Sequence, residues 1–307
     1  MNLILFITTT LIWGSTWLAI KFQLGQVMPL WSLVYRFSIA AVMLSGYCLL
    51  TRHSLSFNRE QHGWIAVQAA FMYFLNYILF YFASSYFVSG IVATVFATLI
   101  VMNIINGRIF LGNPIELRTV IGAITGMAGL GCIVWAEIIR LEDKDTWFIV
   151  EGLVLSLAAT FSASLGQIIF ITNVKRGLPV IQVNALGYAY GSLFTLIVAL
   201  VCGQAPGFDL SWTYVSSLLY LSSFGTVIAF LCYLTLANRI GPEKSAYAFV
   251  LIPIVAMSIS SFFEDLTWTT HTIFGISLVL MGNILVMVKK IPSWKFWKSE
   301  EAPIAAS

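Results

Sequence analysis

The stretch YFASSYFVSG, residues 81–90, decides how many times this chain crosses a membrane. From 71 to 107 the sequence is almost continuously apolar, and polarity dips only around Ala83, Ser84 and Ser85. A hydrocarbon core of about 30 Å is crossed by roughly 20 helical residues. The run is long enough for two crossings joined by a short turn, or for one helix with a long overhang. Two serines do not decide between these by hydropathy; the charges elsewhere in the chain do.

Charged side chains make up 9% of the 307 residues and hydrophobic ones 59%, against about 25% and 45–50% in soluble domains. So few charges cannot cover a soluble protein of this size, and the chain reads as an all-α integral membrane protein. Apolar windows bounded by charges, Pro, Gly and Asn give ten spans: 3–22, 30–50, 62–83, 85–107, 117–137, 148–171, 180–202, 212–235, 243–263 and 270–288. The first begins almost at Met1 with neither a basic leader nor a small-residue cleavage motif, so it is expected to be a retained helix. Cys48, Cys132, Cys202 and Cys232 lie in or beside apolar stretches without CxxC spacing, which points to small packing residues rather than a metal cluster or disulfides. No cofactor is expected.

With ten spans and a cytoplasmic N-terminus, twelve of the 16 Lys and Arg residues fall inside. They are Arg52, Arg59, Arg108, Arg118, Lys175, Arg176, Arg239, Lys244, Lys289, Lys290, Lys295 and Lys298. Lys21, Arg140 and Lys144 fall outside, and Arg36 sits within span two. Fusing spans three and four would invert every later loop and place the basic tail outside. The positive-inside bias therefore favours a turn near residue 85, both termini cytoplasmic, and a membrane surface rather than a nucleic acid as the reason for the formal charge of +3.

The halves echo one another. YFASSYF at 81–87 precedes a span, RIFLGNP and GAITGMAG; YLTLANR at 233–239 precedes a span, SFFEDLT and GISLVLMG. Gly122 and Gly129 share their spacing with Gly275 and Gly282, offset by 153 residues (275 against 122). The reading is a first repeat over 1–140, a second over 141–290 and a polar tail over 291–307. Five spans per repeat is an odd number, so the halves would be inverted, an arrangement suited to alternating access.

No Asp or Glu falls near a bilayer centre: Glu137, Glu151, Asp209, Glu243 and Glu264 all lie near span ends, and His53, His62 and His271 lie in loops. Obvious proton-relay machinery and the constellations of an intramembrane hydrolase are missing from the pattern. Arg36 either snorkels to the outer headgroups or lines an aqueous vestibule where it attracts a carboxylate. Asn76, Tyr77, Asn103, Asn106, Gln167, Asn184 and Tyr188 are neutral polar groups inside four different apolar segments. Each alone is ordinary interhelical glue; together they suggest one polar cavity. Tyr73, Tyr77 and Tyr81 repeat every four residues and stripe one helix face. Trp13 and Trp17 flank Gly14, Ser15 and Thr16, and Trp13 falls too deep for an interfacial belt. Flat apolar walls with a few hydroxyls and amides suit a small organic solute. Pro253 removes a donor inside span nine and marks a hinge.

WGSTW in span one, YRF at 35–37, IFLGNPIELRTVIGAITGMAG at 109–129 and NRIGPEKSAYAFVLIPIVAMSISSFFEDLTWTTHTIFG at 238–275 occur in this order across ten spans. In these the chain resembles the EamA-type drug and metabolite transporters, and closely their bacterial YddG-like amino-acid exporters. The resemblance implies two inverted five-helix repeats around a central cavity. It also implies export of aromatic and other neutral amino acids across a bacterial inner membrane, by a monomer in the lipid bilayer that is not an enzyme. It draws Trp13, Trp17, Tyr77, Asn103, Gln167, Asn184, Tyr188 and Tyr247 towards the substrate path, with Arg36 near the outer mouth. The alternative is a broad exporter of drugs or nucleobase-like metabolites. The chain departs from the pattern at Asn113, where an acidic residue is usual after FLG, and at Pro242 and Pro253, which have no counterparts near Gly90 and Val101.

Overall fold

In a computed structural model of the chain, residues 1–25, 27–112, 114–140, 146–240, 245 and 247–287 are described. The side chains of 137–140, 146 and 238 are not described. Asn113, Pro242, Glu243, Lys144, Lys244 and the segment 288–307 with its four lysines lie outside this set.

The turn at 84–88 is present: Ser85 and Tyr86 donate their backbone N–H groups to Phe82 and Ala83, 3.0 Å each. Two helices therefore replace the single overlong one. The secondary structure of the described residues consists of ten helical rods: α1 (Asn2–Lys21), α2 (Pro29–Leu50), α3 (Arg59–Ala83), α4 (Ser89–Leu111), α5 (Leu117–Arg140), α6 (Thr146–Lys175), α7 (Val180–Val201), α8 (Trp212–Leu219, Tyr220–Ile228 and Ala229–Ile240), α9 (Tyr247–Phe263) and α10 (Thr270–Met287). Nine are long and apolar enough to cross a membrane, and α9 is a shorter apolar helix. The protein is a multi-pass membrane protein. Counting crossings places Arg52, Arg59, Arg108, Arg118, Lys175, Arg176 and Arg239 at one end, the basic end, and Lys21 and Glu264 at the other.

Local chemistry sets the helix ends. Asn58 and Gln61 form a reciprocal capping box at α3, with both bonds at 2.9 Å. Pro29 opens α2, where its missing donor costs nothing. Gly112 ends α4 at φ +71, a conformation that favours glycine. Several boundaries differ from the sequence expectation, those of α4 and α6 among them. α4 starts at Ser89 rather than 85 because the turn occupies 84–88, and it runs on to Leu111. α6 extends from Thr146 to Lys175.

Two features were not anticipated. α3 widens to π-helical turns over Ala70–Leu75, and α8 does so over Tyr220–Ile228. In addition, α4 is tightened at Ala97 and Thr98, where Thr98 N–H bonds the Val95 carbonyl at 3.0 Å. Thr94 and Thr98 back-bond to the Gly90 and Val95 carbonyls, the kind of side-chain competition that loosens a helix without proline.

Small residues set the helix contacts. A Cβ on Gly129 would lie 2.5 Å from the Gly275 carbonyl oxygen, and one on Gly122 would lie 2.7 Å from that of Gly282, so α5 and α10 meet backbone to backbone. Gly14 admits Val255 of α9, Gly225 of α8 admits Thr16, Gly166 of α6 admits Met72, and Gly90 of α4 admits Met257. Ser38 and Ser192 join α2 to α7 at 2.7 Å, and Asn106 donates to Ser164 at 2.8 Å between α4 and α6. Gly14 thus lets α9 approach the first helix closely.

The α5–α10 contact makes a direct prediction. Gly129→Ala forces backbone apart and is expected to cost about 1–3 kcal/mol. Gly126→Ala, with open space around its Cβ, is expected to be neutral or to gain up to ~1 kcal/mol from helix propensity. Thermal unfolding of the purified variants in one detergent measures the difference.

Candidate functional site

The interior holds a cavity of about 340 Å³ in the basic half of the bundle. Its walls are Phe96, Ile100 and Asn103 of α4, Gln167 of α6, Tyr233 of α8, Phe249 and Pro253 of α9, and Val286 and Met287 of α10. Most of the surface is hydrocarbon or ring face. The polar exception is an amide pair: Asn103 Nδ2 donates to Gln167 Oε1 at 2.8 Å, which leaves Asn103 Oδ1 buried without a partner. That oxygen is itself buried in the cavity wall, an unpaired acceptor among the described residues that a rotation of the amide would offer to an N–H donor.

Trp13 and Trp17 stand one layer behind this surface. Trp13 stacks on Phe249, with centroids 5.2 Å apart and planes at 25°, and lies 5.5 Å from Tyr233. Its indole Nε1 donates to the Gly225 carbonyl at 3.1 Å. Trp17 packs against Phe80 and Phe96 at 5.1 and 5.4 Å, and those two rings meet at 5.4 Å. This trio closes the cavity on the side away from the basic end.

A second polar cluster lies between α2, α3, α7 and α8. Arg36 is 2% exposed, so its guanidinium reaches neither the lipid-facing surface nor an open vestibule. Its Nε donates to Thr226 Oγ1 at 3.3 Å, its Cζ lies 4.8 Å from the Tyr77 ring centroid, and Nη1 has no partner among the described residues. Tyr188 donates to the Thr226 carbonyl at 3.1 Å and stacks on Phe37, while Tyr73 donates to Asn184 Oδ1. Tyr73 and Tyr77 both pack on Phe37, which keeps the tyrosine stripe on one face. The widened turns of α8 explain these contacts. A π-helical segment shifts the hydrogen-bond register, so the Gly225 and Thr226 carbonyls can serve side chains of α1 and α7.

At the end opposite the basic one, Glu264 closes the structure. Its carboxylate accepts both contacts of the Ser89 N–H at 3.0 Å, the Ser89 hydroxyl, and the Ser260 hydroxyl at 2.6 Å. Lys21 Nζ lies 3.9 Å away. One carboxylate thus ties the C-terminus of α9 to the N-terminus of α4 and the last residue of α1. The site also suits its charge, since a helix N-terminus favours an anion.

The structure therefore distributes the residues singled out in the sequence. Asn103, Gln167 and Pro253 line the cavity. Trp13 and Trp17 back it, and Arg36, Tyr77, Asn184 and Tyr188 belong to the second cluster. Tyr247 opens α9, half-buried and outside the cavity lining. Sequence reasoning missed Phe96, Tyr233, Phe249, Thr226 and Glu264. The first three carried no polar signal, and Glu264 passed as an interfacial carboxylate. Among the described residues no group of three His, Cys, Asp or Glu is placed to hold a metal ion.

Ten apolar rods, five of which line a cavity of about 340 Å³, define a polytopic membrane protein. The chain belongs to the EamA-like transporter family, whose model matches residues 1–135 and 150–288. Protein PagO of Salmonella typhimurium is 26% identical, over 94% of this chain and 93% of its own length. The inner membrane transporter YedA of Escherichia coli K12 is 23% identical over 92% and 91%, and the transporter YoaV of Bacillus subtilis 23% over 90% and 93%. A crystal structure at 13% sequence identity superposes with a TM-score of 0.66, covering 93% of this chain and 96% of that one, and shares the fold.

Removing the Glu264 carboxylate tests the closed end. Glu264→Ala leaves the Ser89 N–H and Lys21 without an acceptor, at a cost of about 1–3 kcal/mol. A cysteine at Ala93, buried in the cavity wall, is then expected to react with an impermeant maleimide added from the side that carries Ser85. It should be silent there when Glu264 is intact.

Proposed function

We propose that this chain exports aromatic and other neutral amino acids from the cytoplasm by alternating access, as a monomer with both termini cytoplasmic. The observation that carries the reading is the cavity itself. Its volume of about 340 Å³ falls in the range of small-organic sites. Its ring faces suit an apolar side chain, and the free Asn103 oxygen suits an ammonium group. The closed Glu264 end and the cavity at the basic end match a conformation that loads from the cytoplasm, given the positive-inside rule. YedA, a relative described as an inner membrane transporter, supports that membrane as the location.

The proposed machinery is a pair of inverted repeats, residues 1–140 and 141–290. Four observations support it. The family model matches two consecutive segments of similar length. The widened turns fall in α3 and α8, which are five helices apart. Gly122 faces Gly282 while Gly129 faces Gly275, the pairing a two-fold axis between α5 and α10 produces. Finally, Pro253 of α9 and the tightened Ala97–Thr98 of α4 occur in matching rods, which suits them as the two hinges. Only two conformations are needed, and the solute gradient supplies the drive.

Efflux of L-phenylalanine from loaded proteoliposomes tests the reading, with uracil and adenine as competitors. Saturable amino-acid efflux is expected, reduced about tenfold or more by Asn103→Ala, since a hydrogen bond to a charged group contributes about 1.5–3 kcal/mol. Trp13→Ala should reduce it comparably. Efflux of nucleobases in place of amino acids would support the broad-exporter alternative, and phenylalanine efflux that acidifies or alkalinises the lumen would contradict a gradient-driven facilitator.

A further inference from the structure

Among the described residues Arg36 is a cation without a counter-anion. It is 2% exposed, and among the described residues it forms no ion pair. Its neighbours are a hydroxyl (Thr226), two ring faces (Tyr77 and Phe37) and the Tyr81 hydroxyl, on which its charge acts. Tyr81 in turn donates to Gln23 Oε1 at 2.6 Å, and Gln23 is 1% exposed with its Nε2 unpaired. Two orphaned N–H donors, Arg36 Nη1 and Gln23 Nε2, thus flank one tyrosine. A cluster with spare donors and a net positive charge lacks an acceptor that carries negative charge.

We infer that Arg36 and Gln23 form an anion site that takes the carboxylate of the transported solute. Its identification with an amino-acid carboxylate rests on the function proposed above; its anion chemistry does not. The cavity and this cluster share one partition. Trp13 lies on Phe249 and Tyr233 on the cavity side and bonds the Gly225 carbonyl on the other. Gly225 precedes Thr226, which holds Arg36. Release of Trp13 from Gly225 would open the cavity towards the Arg36 cluster. An amino acid could then pass from one to the other, its ammonium group at the Asn103 oxygen before transfer and its carboxylate at Arg36 after it. No second acid or metal is required, and no covalent step occurs.

The test compares three probes that share a phenyl ring: L-phenylalanine, 2-phenylethylamine, which lacks the carboxylate, and 3-phenylpropionate, which lacks the ammonium group. Wild-type protein is expected to prefer phenylalanine to phenylethylamine in a transport competition, and to be thermally stabilised by 3-phenylpropionate. Arg36→Gln should erase that preference, a change of roughly ten- to a hundredfold, and abolish the stabilisation by phenylpropionate. Arg36→Lys should restore part of both, because it keeps the charge. Gln23→Leu, which leaves the guanidinium in place, should weaken phenylpropionate binding without touching phenylethylamine. If Arg36→Gln lowers transport of all probes in equal proportion, or leaves the preference intact, Arg36 is structural and the inference falls while amino-acid export stands. If phenylpropionate binds through Arg36 but phenylalanine is not transported, the anion site stands and the amino-acid reading falls. If no probe carrying a carboxylate binds wild-type protein, both fall.

Discussion

A guanidinium buried between four helices, with no carboxylate beside it among the described residues, constrains much of the centre of this molecule. Placing a cation within the hydrocarbon core costs up to roughly 2.5–3.5 kcal/mol even with local relaxation. Here the cost is met in part by the Tyr77 ring, a contact of about 2 kcal/mol when desolvated, and by the Thr226 hydroxyl. Thr226 can serve Arg36 and Tyr188 together because α8 abandons regular α-helical bonding over Tyr220–Ile228. The same wide turn offers the Gly225 carbonyl to Trp13. One local departure from helix geometry therefore positions the cation, the tyrosine and the tryptophan that separates them from the cavity. Hydrocarbon supplies no alternative partners for a loosened backbone, so such a segment persists only where side chains occupy its free groups.

The two ends of the bundle are built on different chemistry. At the Lys21 end, a carboxylate with four hydrogen-bonding contacts to α4 and α9 holds three helices together, and the Trp17, Phe80 and Phe96 rings fill the space beneath. At the basic end, the helices around Asn103 and Gln167 leave room for a solute. α5 and α10, joined through glycine backbones, have little freedom to slide. The remaining helices meet through hydroxyls, amides and rings, contacts that can be exchanged. A rigid pair beside a bundle of exchangeable contacts is a physical basis for two discrete packings.

Much of this was legible in the sequence, for reasons that differ by feature. The turn near Ser85 was decided by lysines and arginines far from it, because membrane orientation is a global property of the charges. The α5–α10 contact was legible as repeated glycines, since only glycine permits such close backbones. Asn103 and Gln167 stood out because an amide in hydrocarbon needs a partner. The widened turns in α3 and α8 left no such mark: AFMYFL and YLSSFGTVI are unremarkable as helices, and their geometry follows from neighbours. Arg36 was recognised, but its surroundings were not. Its position seven residues after Pro29 fixes a depth of roughly 10 Å, whereas the choice between lipid, water and protein depends on which face α2 turns to α3 and α8. Glu264 was overlooked for a related reason. Its place near a span end was correct, yet its partner is the N-terminus of a helix 175 residues away along the chain.

The central claim is that one end opens as the other closes, and paired distance measurements test it most directly. Spin labels at Ser85→Cys and Trp212→Cys report on the Lys21 end, and labels at Arg108→Cys and Arg239→Cys on the basic end, at four exposed positions. Double electron–electron resonance in liposomes, with and without saturating L-phenylalanine, gives both distributions. The account predicts that the substrate shifts population so that the first distance lengthens as the second shortens. Distances that stay fixed, or that change in the same direction, would contradict it.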